Sequence, residues 1–163
     1  RDHGNAPRDG RGPRMIRFAA LAAACAWAGA ALAEPATLSE CDGFTASARN
    51  LMMPPSESIR QFANGAVRLY WLDTTEPACC SSHLMVIQPA PNEPYEMCTL
   101  VSASENLGFG GMDLTGAAAN YEPTVGLTVS IPVNVWEGDG PDPAMLYVVI
   151  NQGAGTVETE VVQ

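Results

Sequence analysis

From Thr124 to Trp136 the odd positions read Val125, Leu127, Val129, Ile131, Val133 and Val135, while Gly126, Thr128, Ser130 and Asn134 hold even ones. A period of two sustained that far belongs to a strand with one buried and one solvated face, because a helix turning every 3.6 residues would scatter those side chains around its axis. A strand of this kind needs partners and an opposing layer, so the rest of the chain has to supply a sheet. Pro132 lies inside the pattern and cannot donate to a ladder, which predicts a sheet edge or a bulge at that point.

The partners are found by the same reading. Met145 to Asn151 is apolar on both faces and predicts a more interior strand. Thr156 to Val162 alternates again, with Val157 and Val161 against Glu158 and Glu160, and Gly153-Ala154-Gly155 predicts the hairpin between the two. A loop rich in Gly, Asp and Pro is expected over Glu137 to Pro143. Earlier, Asn64-Gly65 separates Ile59–Phe62 from Val67–Leu72, the pattern of a tight hairpin. Leu84–Gln88 and Met97–Ser102 predict short strands, and Phe109–Leu114 a weaker one. Phe44 to Met53 fits period two through Phe44, Ala46 and Ala48, and also a helical face through Phe44, Ala48, Leu51 and Met52; we read it as a strand. Ala117–Tyr121 is expected to form one helical turn. The sum is a mainly β fold: a single antiparallel sandwich or open barrel of about seven to eight short strands, disulfide-stapled, with α+β and one helix near 42–53 as the alternative.

Only part of the chain belongs to that domain. Arg14-Met15-Ile16-Arg17 is a basic start, Phe18 to Ala30 carries no charge, and Ala31-Leu32-Ala33 is a small-x-small site. Residues 15–33 therefore predict a secretory signal peptide cleaved after Ala33. Residues 1–14 show no apolar periodicity and are read as an upstream leader, non-native or disordered. Cys25 could serve a lipoprotein signal, but Ala22 stands where such a signal prefers Leu. The apolar run is shorter than the roughly 20 residues of a membrane-spanning helix, so no membrane insertion is expected after cleavage. A single globular β-rich domain, 34–163, in the periplasm or outside the cell is the expectation.

Cleavage sharpens the charge balance. The leader and signal peptide hold five of the eight basic residues and two of the eighteen acidic ones, so the remainder carries three against sixteen, a formal charge of −13. The three are Arg49, Arg60 and Arg68, and the chain contains no Lys. Neutralising a phosphate backbone from such a field is impossible, which excludes nucleic acid as a partner, and anionic lipid for the same reason. The absence of Lys also excludes a Schiff base, a pyridoxal phosphate anchor and a Walker-type phosphate loop. No cofactor is called for.

Four cysteines remain after cleavage: Cys41, Cys79, Cys80 and Cys98. In an oxidising compartment an even count reads as two disulfides. A bridge between Cys79 and Cys80 would join neighbours whose side chains ordinarily point apart, which favours pairing each of them with Cys41 or Cys98 in one of two ways. If Cys79 and Cys80 stay free or join each other, Cys41–Cys98 alone staples the fold. Either staple closes some forty to sixty residues and contributes on the order of 3–4 kcal/mol.

Three constellations could carry chemistry. Cys79, Cys80, His83 and Cys98, with Met85 and Met97 near by, bring together ligand types suited to Cu(I) or Zn(II), although their spacing matches no known ligand pattern. Glu137, Asp139 and Asp142 space oxygen ligands as a Ca²⁺ site could, without the ladder of an EF-hand. Carboxylates drawn from Asp73, Glu76, Asp139 and Asp142 could serve a hydrolase if two of them faced one cleft. His83, the one His left after cleavage, would have to serve any Ser-His or Cys-His mechanism; with no nucleophile-elbow motif present, it is read as a partly exposed strand residue, and no catalytic residue is assigned. Trp71 shares its face with Val67 and Leu69 and reads as core, whereas Trp136 falls on the polar register and reads as a surface contact. These residues favour an exported binding or interaction module without catalytic activity, its partner an unknown protein or small ligand. A soft-metal binding protein is the first alternative and a carboxylate hydrolase the second.

Overall fold

The alternation that defines the long strand is the alternation that the core uses. A computed structural model of the protein describes Arg1, residues 33–138 and residues 140–163. The expected leader and signal peptide thus lie outside the described residues, apart from Arg1 and Ala33. In chain order the strands are β1 Ala33–Glu34, β2 Thr37–Glu40, β3 Ile59–Phe62, β4 Val67–Asp73, β5 Ser82–Pro89, β6 Glu96–Ser102, β7 Gly111–Met112, β8 Ala118–Glu122, β9 Gly126–Glu137, β10 Gly140–Asn151 and β11 Thr156–Val162. One helical turn, α1, spans Pro55–Ser58.

Two antiparallel sheets result. The first runs β1-β11-β10-β9, with β7 and β8 lying end to end along the far side of β9. The second runs β2-β6-β5-β4-β3. Each is built from a contiguous stretch of chain, β1 excepted. The sheets share one hydrophobic core, to which β9 contributes Leu127, Val129, Ile131 and Val133, β10 Leu146, Val148 and Ile150, and the second sheet Val67, Leu69, Leu84, Val86 and Val101. Burying a side chain of this size contributes about 1.5–3 kcal/mol, so the two inner faces supply the main force holding the layers together. The fold is therefore the mainly β, disulfide-stapled sandwich that the pattern predicts, and not the open barrel.

Four expectations are corrected. Residues 44–53 form neither a strand nor an α-helix: a 3-10 turn at Ala48–Asn50 is followed by a single bridge from Leu51 to Leu72. The buried Asn50 amide donates to the carbonyls of Phe44 (2.8 Å) and Thr45 (3.1 Å), and this local bonding replaces a ladder. Ala117–Tyr121 is no helical turn, since Ala118–Glu122 pairs with β9 as the exposed strand β8. The segment from Glu137 to Pro143 is no loop, because β9 and β10 stay paired out to Glu137 and Gly140. Past Met145, β10 has no β11 residue beside it and is locally an edge, where Pro141 and Pro143 are tolerated.

Pro132 is the fourth. It lies mid-sheet with Met145 opposite. On the other side of β9, β8 reaches only to Ser130 and β7 begins at Val133, so the missing N–H falls in the gap between them. The Pro132 carbonyl still accepts from Asp113 N there, at 2.9 Å. No helix among the described residues is long and apolar enough to cross a membrane.

Candidate functional site

Strand alternation sends Leu84 and Val86 of β5 into the core and leaves His83, Met85 and Ile87 on the opposite face of the second sheet. Cross-strand neighbours on that face are Tyr70 beside Met85, Arg68 beside Ile87, Met85 beside Leu100 and Ile87 beside Cys98. A face this apolar is usually covered, and residues 41–53 cross it as a strap. The strap is pinned at one end by the Cys41–Cys98 disulfide and at the other by Met52 N donating to Trp71 O at 3.0 Å. Ser58 Oγ, from α1, bonds Met52 O at 2.6 Å and holds that second end. On the strap's solvent side the Arg49 guanidinium sits 5.4 Å above the Phe44 ring.

Two clefts flank the strap. The first, about 320 Å³, is apolar: Ala46, Ala48 and Leu51 of the strap face Arg68, Tyr70, Leu72, Met85 and Ile87 of the sheet. Arg68 is its one charged group. The guanidinium pairs with Glu96 through Nη2, while its Nε is enclosed and has no hydrogen-bond partner. The second cleft, about 310 Å³, is polar and acidic, lined by Glu40, Asp42, Glu76 and Glu105 together with Ser39, Thr45, Asn106, Leu100, His83 and Ser102.

His83 is not the partly exposed residue expected from sequence, since it is only 8% exposed. Its Nδ1 lies 2.8 Å from Ser102 Oγ, the neighbouring strand's residue just beyond the Leu84–Val101 pair. Burial holds the imidazole below its ordinary value of 6.5, opposed by the charges of Glu76 and Asp73. The ring is therefore neutral at neutral pH. Its Nε2 faces Gly108, where a Cβ would stand 2.9 Å from that nitrogen, 2.6 Å from Cys80 O and 2.4 Å from Ser82 O, so only glycine fits. Among the described residues no carboxylate is hydrogen-bonded to the imidazole, and the His83–Ser102 pair lacks the third member of a triad. Ser102 escaped notice in the sequence, although alternation along 97–102 puts it on the face opposite Val101.

The other nominated residues are dispersed. Cys98 is bonded to Cys41, and Cys79 to Cys80. The neighbour bridge disfavoured from sequence forms because these residues lie in a loop, with Cys80 in the left-handed region at φ 70°. With Cys79, Cys80 and Cys98 all in disulfides, the expected ligand set Cys79, Cys80, His83 and Cys98 offers no free thiol, and among the described residues no three His, Cys, Asp or Glu side chains are grouped to hold a metal. Met85 lines the apolar cleft instead. Of the expected Ca²⁺ ligands, Asp139 and the Glu137 side chain lie outside the described residues, and Asp142 is an exposed strand residue opposite Val135. Among the hydrolase candidates, Glu76 lines the acidic cleft and Asp142 lies on the other sheet. Trp71 packs against the core and its Nε1 donates to Ser82 Oγ at 3.0 Å. Trp136 is 48% exposed, beside Pro141 at the end of the long hairpin.

No protein-family model matches the chain, and comparison with curated proteins and with solved structures yields no match either.

Proposed function

We propose that the domain is an exported binding module whose ligand is a small amphipathic molecule held between the strap and the second sheet. The observation that carries this reading is the apolar cleft itself. Its volume of about 320 Å³ is that of a small-molecule site, at the lower end of the usual 300–1,000 Å³. It is walled on one side by sheet and on the other by a segment pinned at both ends, which leaves room for a compact ligand and none for a folded partner. The lining sets the ligand's character: an apolar body against Leu51, Leu72, Met85 and Ile87, a ring or chain against Tyr70, and an acceptor group towards Arg68. Export rests on the pattern of residues 15–33 and is supported by disulfide bonding of all four remaining cysteines.

Anilinonaphthalene sulfonate, an aromatic body with an anionic group, is a suitable probe. Its fluorescence is expected to rise saturably at one molecule per chain, and Ala46→Trp, which fills the cleft from the strap, is expected to abolish the rise while leaving the circular dichroism unchanged. Unsaturable binding, or binding unaltered in Ala46→Trp, overturns the reading.

A further inference from the structure

The two disulfides among the described residues do different physical work. Cys41–Cys98 spans 57 positions and closes a long loop, so its loss releases chain entropy to the unfolded state. Cys79–Cys80 joins residues one position apart and closes no loop of chain, so it stabilises nothing by that route. It ends the 74–81 connection between β4 and β5, in which residues 75–78 are exposed. That connection closes on itself through Thr74 N to Ser81 O at 3.0 Å, and it is tied to the rest of the molecule through Gly108 N to Cys80 O at 2.7 Å. Both are backbone bonds, made by atoms that take no part in the sulfur bridge.

We infer that Cys79–Cys80 is a thiol–disulfide exchange site, reduced and re-formed by a dithiol partner without unfolding of the domain. The two sulfurs are unequal, Cys79 being half-buried and Cys80 buried. The partner's thiolate attacks Cys79 Sγ, the sulfur–sulfur bond breaks, and Cys80 Sγ leaves with the electron pair and takes up a proton. The partner's second thiol then attacks its own sulfur in the mixed disulfide and releases Cys79 as a thiol. In total, two electrons and two protons pass from the dithiol to the cysteine pair, and the dithiol becomes a disulfide. This site is independent of the apolar cleft, which none of the 74–81 residues lines.

The test uses the oxidised full chain equilibrated in mixtures of reduced and oxidised dithiothreitol, quenched with iodoacetamide and mapped by peptide mass. Cys79 and Cys80 are expected to become alkylated at a reductant ratio at least about tenfold below that needed for Cys41 and Cys98, because opening the long staple also frees the strap whereas opening the neighbour bridge frees no loop. Added oxidised dithiothreitol is expected to restore the pair, with circular dichroism constant throughout. Reduction of both bridges at the same ratio overturns the inference. So does isolation of native protein in which Cys79 and Cys80 are thiols that oxidised dithiothreitol fails to join.

Discussion

Replacing Cys41 and Cys98 together by Ser tests how much of the fold depends on pinning the strap. In the chain-entropy treatment the stabilisation grows with the logarithm of the loop, and the separation of 57 corresponds to about 14 cal/mol/K, or about 4 kcal/mol at 25 °C. For a domain of this size that is a large fraction of the roughly 5–15 kcal/mol separating folded from unfolded chain. Urea unfolding followed by tryptophan fluorescence gives the assay. With a slope of about 2 kcal/mol/M the midpoint is expected to fall by about 2 M. The matched control is Cys79→Ser with Cys80→Ser, which removes a bridge that closes no loop and is expected to change stability by less than about 1 kcal/mol. A loss below about 1 kcal/mol for the Cys41 and Cys98 pair, or equal losses for the two pairs, would refute the reasoning. The same Cys41 and Cys98 variant is expected to weaken probe binding, because the strap loses one of its two anchors.

Gln88 is 1% exposed and neither atom of its amide has a hydrogen-bond partner; Gln88→Met is expected to raise stability by about 1–2 kcal/mol, read as a higher urea midpoint. Gly108→Ala drives a Cβ into two carbonyl oxygens and His83 Nε2, and a loss of more than about 2 kcal/mol is expected in the same assay. His83 has its folded value below the 6.5 of the unfolded chain, so the unfolded state binds the proton first as pH falls. The stability that rests on the neutral ring is complete above about 6.5 and is lost as pH falls from there through the folded value. Unfolding measured across that window is expected to show this slope in the native chain and a shallower one in His83→Gln.

Legibility followed burial. Where one face of a strand is buried and the other wet, as in Leu127 to Val133 or Val157 to Val161, the residues themselves write the period, and strand position and facing direction were readable. Met145 to Asn151 was readable as interior because apolar residues on both faces have no other use. β8 was missed because Ala118–Glu122 is exposed throughout and becomes a strand only through pairing with β9. The strap was misread because Ala46, Ala48 and Leu51 face the sheet from an irregular segment while Phe44 lies exposed on its solvent side, so neither period applies. The site residues were less legible than the fold. His83 and Ser102 are 19 positions apart, and only the pairing of β5 with β6 brings them together. The bridge between Cys79 and Cys80 depends on a left-handed residue in a loop, a conformation that cysteine does not advertise.

The order in which the sheets can be completed follows from where β1 lies. The second sheet draws only on residues 37–102, and its strands β3 to β6 follow one another as a meander. The first sheet draws on residues 111–162 and is closed at its edge by Glu34 against Val161, the β1 pair that remains after the expected cleavage behind Ala33. The earliest described strand thus waits for the last one, and Ala36, just beyond it, accepts from Thr159 Oγ1 at 3.2 Å across the same seam. A chain emerging amino end first can assemble the cysteine-bearing sheet while the other is still being delivered. The clasp of Glu34 on Val161 closes only once β11 has formed, which makes it the long-range step in completing the first sheet.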